Sequence, residues 1–342
     1  MARLLRHQST CNVLHSHANF NSAVDCGFFC IPLQISIVHF DSHDMPRTIA
    51  VIAAGAMGAN VGRKFVEAGD TVLTSLEGRS DVTRRRAKEA GMVDASWAHI
   101  IQKADIVLSI IPPRDAISFA QRLLKEHSTT ERHGKDPLIF ADCNAVNVET
   151  VQNIASIFAD TNISFIDGCI IGGPPTNDYV PTFYGSANAD QAKALKVYED
   201  AVANSGIKVR ILGGGEGSGI GNASALKMSY AGIVKGLTGL FTTLILSAHA
   251  NSPATSEALL QELSDSQPDL LKRITRAVPA MIPKAYRWVG EMEEISGFVG
   301  GGEADIHHGM AAIYSRIERS ITEGNEDVET LKAFVEAAKD KI

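Results

Sequence analysis

Five cysteines in 342 residues are few, scattered and odd in number, which excludes a disulfide framework and fits a reducing compartment. Cys26 and Cys30 have no second Cys or His pair at zinc-site spacing. His307 and His308 are neighbours on an expected helix, where adjacent side chains diverge by about 100°, so they make a poor metal pair and no metal is expected. A formal charge of −7 leaves no broad nucleic-acid-binding face. The apolar run over residues 28–40 is short and carries Gln34 and His39, so no membrane span is expected there. There is no internal repeat. What remains is an ordinary globular composition, 45% hydrophobic and 21% charged, long enough for about two domains.

The most informative stretch is IAVIAAGAMG, residues 49–58, an apolar run ending in a small-residue turn and followed by an amphipathic segment. Strand, tight turn and helix are the context of the dinucleotide fingerprint G-x-G-x-x-G. Its three positions are Ala53, Gly55 and Gly58, so the first glycine is missing. The second lets backbone approach a pyrophosphate, and the third lets helix and strand pack closely. The pyrophosphate would sit on the unpaired N–H groups of Ala56, Met57 and Gly58 at the helix N-terminus. An alanine at the first position is tolerated if its φ stays out of the positive region.

From Thr48 to Asp167 strand-like and helix-like segments alternate, which predicts an α/β fold with a Rossmann-type, doubly wound parallel sheet. Near-continuous apolar strands fit burial on both faces. The segment GGGEGSGIG, residues 213–221, breaks the rhythm and reads as a domain boundary. Beyond it the strands stop. Residues 222–250 form one long apolar helix, and an all-α C-terminal domain follows. The expected organisation is an extension over residues 1–44, a dinucleotide-binding domain over 45–214, and a helical substrate and dimerisation domain over 215–342. The extension holds Arg3 and Arg6 and no acid before Asp25, the composition of a mitochondrial transit segment. The competing reading is an added segment, since Met45 is a natural start for the fingerprint, and the location is then cytoplasmic.

Strand 2 should end near the adenosine ribose. An acid there favours NAD, whereas a cation with small polar partners favours the 2′-phosphate of NADP. The sequence offers Glu77, then Arg79 and Ser80; Arg79 can fork a phosphate and Ser80 can add a hydroxyl, so NADP(H) is favoured and NAD(H) stays open. Arg79 could also be only the solvated start of the next helix. Ile111 and Pro112 end a strand on the carboxyl edge, where the nicotinamide half should bind. Asn144 ends the next strand there, and its amide could serve the nicotinamide, a substrate oxygen, or a turn. Lys227 lies inside the long apolar helix. Burial lowers a lysine's pKa, which suits proton transfer at an alkoxide, but a lysine at a helix edge can also snorkel to water. Tyr230 shares its face. Tyr286 and Trp288 read as core or interface.

These motifs together resemble the β-hydroxyacid dehydrogenase family, whose relatives include 6-phosphogluconate dehydrogenase, 3-hydroxyisobutyrate dehydrogenase and the imine reductases. AAGAMG resembles its G-x-G-x-M-G; DGCIIGG, residues 167–173, its substrate loop; GIGNASALKMSY, residues 219–230, its glycine-rich helix start with the catalytic lysine. The segments ALKMSYAGIVKGL and PKAYRWVGEMEEI are closer still to a subgroup with a variant helical domain. The resemblance implies an NAD(P)-dependent oxidoreductase and homodimer, with Lys227 as general acid/base and Gly172, Gly173, Asn144 and Tyr230 around a small hydroxy acid or related carbonyl compound. Two departures matter. The loop serine is Ile171 here, and the asparagine one turn after the lysine gives way to Tyr230 and Ala231. A bulkier or less polar substrate, an imine, or a non-catalytic NADPH-binding role are the alternatives. The relatives that reduce imines usually replace the lysine, so its retention favours an alcohol–carbonyl couple.

Overall fold

The computed structural model describes residues 46–213, 217–324 and 326–342. The expected extension over residues 1–44, with its targeting readings, and Gly214–Glu216 of the boundary segment lie outside the described residues.

An eight-stranded sheet has the order β3-β2-β1-β4-β5-β6-β7-β8, where β1 is Thr48–Ile52, β2 Thr71–Thr74, β3 Val93–Asp94, β4 Ile106–Ser109, β5 Leu138–Asp142, β6 Ile163–Ile171, β7 Thr182–Ser186 and β8 Lys208–Ile211. The helices between them are α1 (Ala56–Glu67), α2 (Asp81–Glu89), α3 (Trp97–Lys103), α4 (Ala116–Ser128), α5 (Val148–Ile157) and α6 (Ala192–Asn204). Side chains alternate across each strand and so divide the core in two. Ile49 and Val51 pack with Phe65 of α1 and Tyr198 of α6, whereas Ala50 and Ile52 pack with Ile100 of α3, Leu123 of α4 and Val151 of α5. Helices on both faces of a mainly parallel sheet confirm the expected class.

One pairing departs from the expected parallel sheet. β6 and β7 are antiparallel, with Asp167 opposite Ser186 and Ile171 opposite Thr182. Residues 172–181 are too few for a parallel crossover, which needs a dozen or more residues, so the chain turns straight back. This turn carries the pair of glycines expected at the substrate.

After the sheet come α7 (Asn222–Asn251), α8 (Pro253–Ser266), α9 (Pro268–Met281), α10 (Ala285–Val299), α11 (Ala304–Glu323) and α12 (Asp327–Lys339). Met228, Ile245, Met281, Met292, Tyr314 and Phe334 contribute to their shared core. Two carboxylates tie this layer to the sheet, each at a helix N-terminus. Glu294 of α10 accepts from Asn147 N–H at 2.8 Å, at the start of α5. Asp167 of β6 holds the start of α7.

Candidate active site

The turn after β1 places its three small residues differently from one another. Ala53 keeps φ out of the positive region, since Asp160 is the only non-glycine with positive φ among the described residues. A Cβ on Gly58 would lie 2.0 Å from the Ala53 carbonyl oxygen, so glycine alone permits α1 to pack on the turn. A Cβ on Gly55 would meet nothing within 4 Å, leaving the outer side of the turn open to a ligand. No side chain caps α1 and no acid lies in its first turn, while α2, α3 and α5 are capped by Ser80, Ser96 and Asn147. The N–H groups of Ala56, Met57 and Gly58 thus face outward from an electropositive helix end. Arg86 reaches the same turn, donating to the Ala54 carbonyl at 3.4 Å. The residues present fit a dinucleotide pyrophosphate.

The helix carrying Arg84, Arg85 and Arg86 reads from sequence as solvated, and it is, with only Ala87 buried, while two of the three arginines also brace neighbouring loops. Arg84 bonds the Leu76 carbonyl at 2.6 Å and the Arg79 carbonyl at 3.1 Å, bracing the loop after β2. Glu77 is paired with Arg122 at 2.7 Å. Ser80 spends its hydroxyl on the cap of α2. Arg79 is exposed, and its guanidinium has no hydrogen bond or ion pair among the described residues. A cleft of about 580 Å³ opens beside this loop, with Ser75, Glu77, Arg84, Trp97 and Arg122 in its walls.

At the carboxyl edge of β4 and β5, Asn144 is buried and both ends of its amide are engaged. Its Oδ1 accepts from Ile111 N–H at 2.7 Å and its Nδ2 donates to Ser109 Oγ at 2.8 Å. It staples the two strand ends and fixes the start of the loop through Pro112, which is itself exposed. Asp142 accepts from Asn144 N–H at 2.9 Å through Oδ1, while its Oδ2 is buried with no partner among the described residues. Burial, aided by the nearby charge of Asp167, pushes the Asp142 carboxyl up to about 7.

Asp167 is the polar residue that matters most and that the sequence reading passes over as a site residue. Its Oδ2 accepts from Gly221 N–H at 2.9 Å, Ala223 N–H at 3.0 Å, Ser224 N–H at 3.2 Å and Ser186 Oγ at 2.9 Å; its Oδ1 accepts from Ser224 Oγ at 2.7 Å. Burial raises its pKa while these donors oppose the rise, Ser224 foremost. A carboxylate from the sheet thereby satisfies the first turn of α7, where a local capping side chain is absent. One turn further along, the Lys227 ammonium donates to the Ile170 carbonyl at 2.6 Å. Both anchors of the lysine segment come from β6. Burial lowers the Lys227 pKa, with the Cys169 thiol acting against that shift and Arg287 adding to it. Two turns on, Lys235 pairs with Glu291, which Arg287 also reaches at 3.3 Å.

Gly172 and Gly173 lie exposed at the end of β6, and Gly172 has φ +128°. Tyr230 is 47% exposed, beside Lys227 but turned toward the outer surface of α7. The structure therefore brings Lys227 and the two glycines to one strand end. It gives Asn144 a bracing role in the sheet and stands Tyr230 on the rim. Ser186, Glu291 and Arg86 carry no sequence signal of their roles. Asp167 does carry one, as an acid inside the apolar strand ISFIDGCII.

Residues 48–213 match the family model described as the NAD binding domain of 6-phosphogluconate dehydrogenase. Residues 250–317 match a domain of unknown function, DUF1932. No curated protein matches the sequence. Among solved structures, 3-hydroxyisobutyrate dehydrogenase from Mycobacterium tuberculosis, determined with L-serine, is 14% identical with a TM-score of 0.57, over 84% of this chain and 99% of that one. The Salmonella typhimurium 3-hydroxyisobutyrate dehydrogenase is 14% identical with a TM-score of 0.58, over 84% and 99%. A conserved protein of unknown function, described as structurally similar to 3-hydroxyacid dehydrogenases, is 21% identical with a TM-score of 0.57, over 81% and 99%. These likenesses show the fold, a 3-hydroxyacid dehydrogenase-like arrangement.

Proposed function

We propose that this chain, whose residues 48–213 match the family model of the NAD binding domain of 6-phosphogluconate dehydrogenase, is an NADP(H)-dependent oxidoreductase acting on an alcohol–carbonyl couple, with Lys227 as general acid/base. The observation that carries the reading is the position of Lys227, a half-buried ammonium held by the Ile170 carbonyl at the carboxyl end of the sheet. The N–H groups of Ala56–Gly58 and the Arg86 guanidinium would hold the pyrophosphate. When bound, a nicotinamide cofactor supplies or accepts a hydride. The chain's own residues do the rest. In the reducing direction the Lys227 Nζ gives a proton to the oxygen on which charge develops; in the oxidising direction neutral Nζ takes it. Its lowered pKa brings the two forms closer in energy at neutral pH.

NADP(H) is preferred over NAD(H) because Glu77, the acid that would serve a ribose 2′-hydroxyl, is already paired with Arg122, while the Arg79 guanidinium is free among the described residues. A second copy of the chain covers α7, which exposes Tyr230, Ile233, Leu240 and Leu244, with half-buried Leu226 before them and Leu237 among them, an apolar stripe at alternating three- and four-residue steps.

The test is a panel of hydroxy compounds, aldehydes and imines followed at the nicotinamide absorbance with NADPH and NADH. Lys227→Ala is expected to lower kcat by about 10²–10⁴ while the NADPH Kd stays within about threefold. Arg79→Ala is expected to weaken NADPH about tenfold and leave NADH unchanged. Full turnover in the lysine variant sinks the proton-transfer role.

A further inference from the structure

The turn between β6 and β7 contains an occupant for its own hydrogen-bond donor. Gly172 has a φ of +128°, which disfavours any side chain, and its bare Cα leaves room for the Tyr179 phenol oxygen, from which a Cβ there would lie 2.1 Å. Thr176 N–H donates to the Tyr179 carbonyl at 2.8 Å, which folds the segment back on itself, and Pro174, Pro175 and Pro181 restrict it further. The Tyr179 phenol oxygen then accepts from Gly173 N–H at 3.3 Å. Gly173 itself is under no such steric demand, since a Cβ on it would meet nothing within 4 Å. The Lys227 ammonium binds the Ile170 carbonyl, three residues away and so within about 10 Å of Gly173 along the chain. A small molecule with its reacting oxygen at Lys227 would reach this loop with its other end.

We propose that Tyr179 is a specificity-determining residue: its phenol takes the Gly173 N–H that a substrate carboxylate would need, so the site selects an uncharged alcohol–carbonyl couple over a short hydroxy acid. This rests on Lys227 as the proton-transfer group of the proposed function, with the Gly172–Gly173 loop at the same strand end flanking the substrate. Other groups near the lysine reinforce it. Lys235 and Arg287 both already engage Glu291, so their charge is not free to replace the lost contact. Tyr179 is 45% exposed and presents a neutral side chain with one hydroxyl in its place.

The test compares 3-hydroxybutanoate with its methyl ester, which differ at that end in charge and by one methyl group. Affinity for full-length protein with bound NADP⁺ is measured by calorimetry, in wild type and in Tyr179→Phe. The variant keeps the ring and the backbone bond of the turn but frees Gly173 N–H. Wild type is expected to bind the ester at least about tenfold more tightly than the acid, and Tyr179→Phe to shift the acid-to-ester ratio toward the acid by about tenfold or more. The proposal is overturned if wild type binds the acid as well as the ester, if the ratio is the same in both proteins, or if neither compound binds either protein. Turnover is scored separately. A shifted binding ratio without hydride transfer leaves the Tyr179 assignment standing and removes the oxidoreductase reading instead.

Discussion

Asp142 shows what burial does to one side chain at the edge of this site. Its carboxyl holds its proton up to about pH 7, whereas in the unfolded chain it would lose it near 3.8. The folded state therefore binds more protons between those values, and stability from this group is complete below about pH 4 and is lost as pH rises toward 7. Asp142→Asn keeps an acceptor for Asn144 N–H without the ionisation. The difference in unfolding free energy between variant and wild type, from urea titrations at several pH values, is expected to move in the variant's favour by a few kcal/mol between pH 4 and 7.5. A pH-independent difference would mean that Asp142 is ionised throughout. Lys227 was legible as chemistry for one reason, a titratable group in an apolar run; Asp142 stands in such a run too and the sequence reading passes it over. Asp167 sits in the same kind of run. Tyr179 and Arg86 could not be read this way, because their roles depend on how a turn closes and how a helix is phased against a neighbouring loop.

Among the elements, α7 is the one whose placement decides the site. Its first turn is satisfied by a carboxylate 54 residues earlier in the chain rather than by a neighbour, so its cap is a tertiary contact. Asp167→Asn exchanges an anion for an amide that must turn a donor toward N–H and O–H groups. The expected loss is about 3 kcal/mol of stability. Faster amide exchange confined to residues 221–227 and a fall in kcat with unchanged NADPH affinity are expected with it. A variant that loses stability with uniform exchange and normal turnover would show that Asp167 supports the sheet and not the lysine. The alternation of strands and helices up to β6 was legible because each element carries its own hydrophobic period. α12 carries such a period too, with Val328, Leu331, Phe334, Val335 and Ala338 at helical spacing. The reversal at β7 was written in the length of the turn before it rather than in any side chain.

For the whole molecule, the apolar stripe along α7 is the feature that a single chain leaves unpartnered. If a second copy covers it, Leu240→Glu is expected to convert a dimer to a monomer in sedimentation equilibrium, at unchanged secondary structure. A wild-type monomer at micromolar concentration removes the dimer from the proposal. Tyr230 stands at one end of that stripe and Lys227 one turn away, so loss of the dimer is also expected to lower turnover. The attachment of the lysine to the sheet has a consequence for how such a protein can diversify. Asp167 and the Ile170 carbonyl belong to β6, and the helices matched to the domain of unknown function begin only at residue 250. If Lys227 transfers the proton as proposed, mutations can reshape those helices while the lysine stays registered to the sheet. Descendants of such a chain can change what they act on without rebuilding how they act.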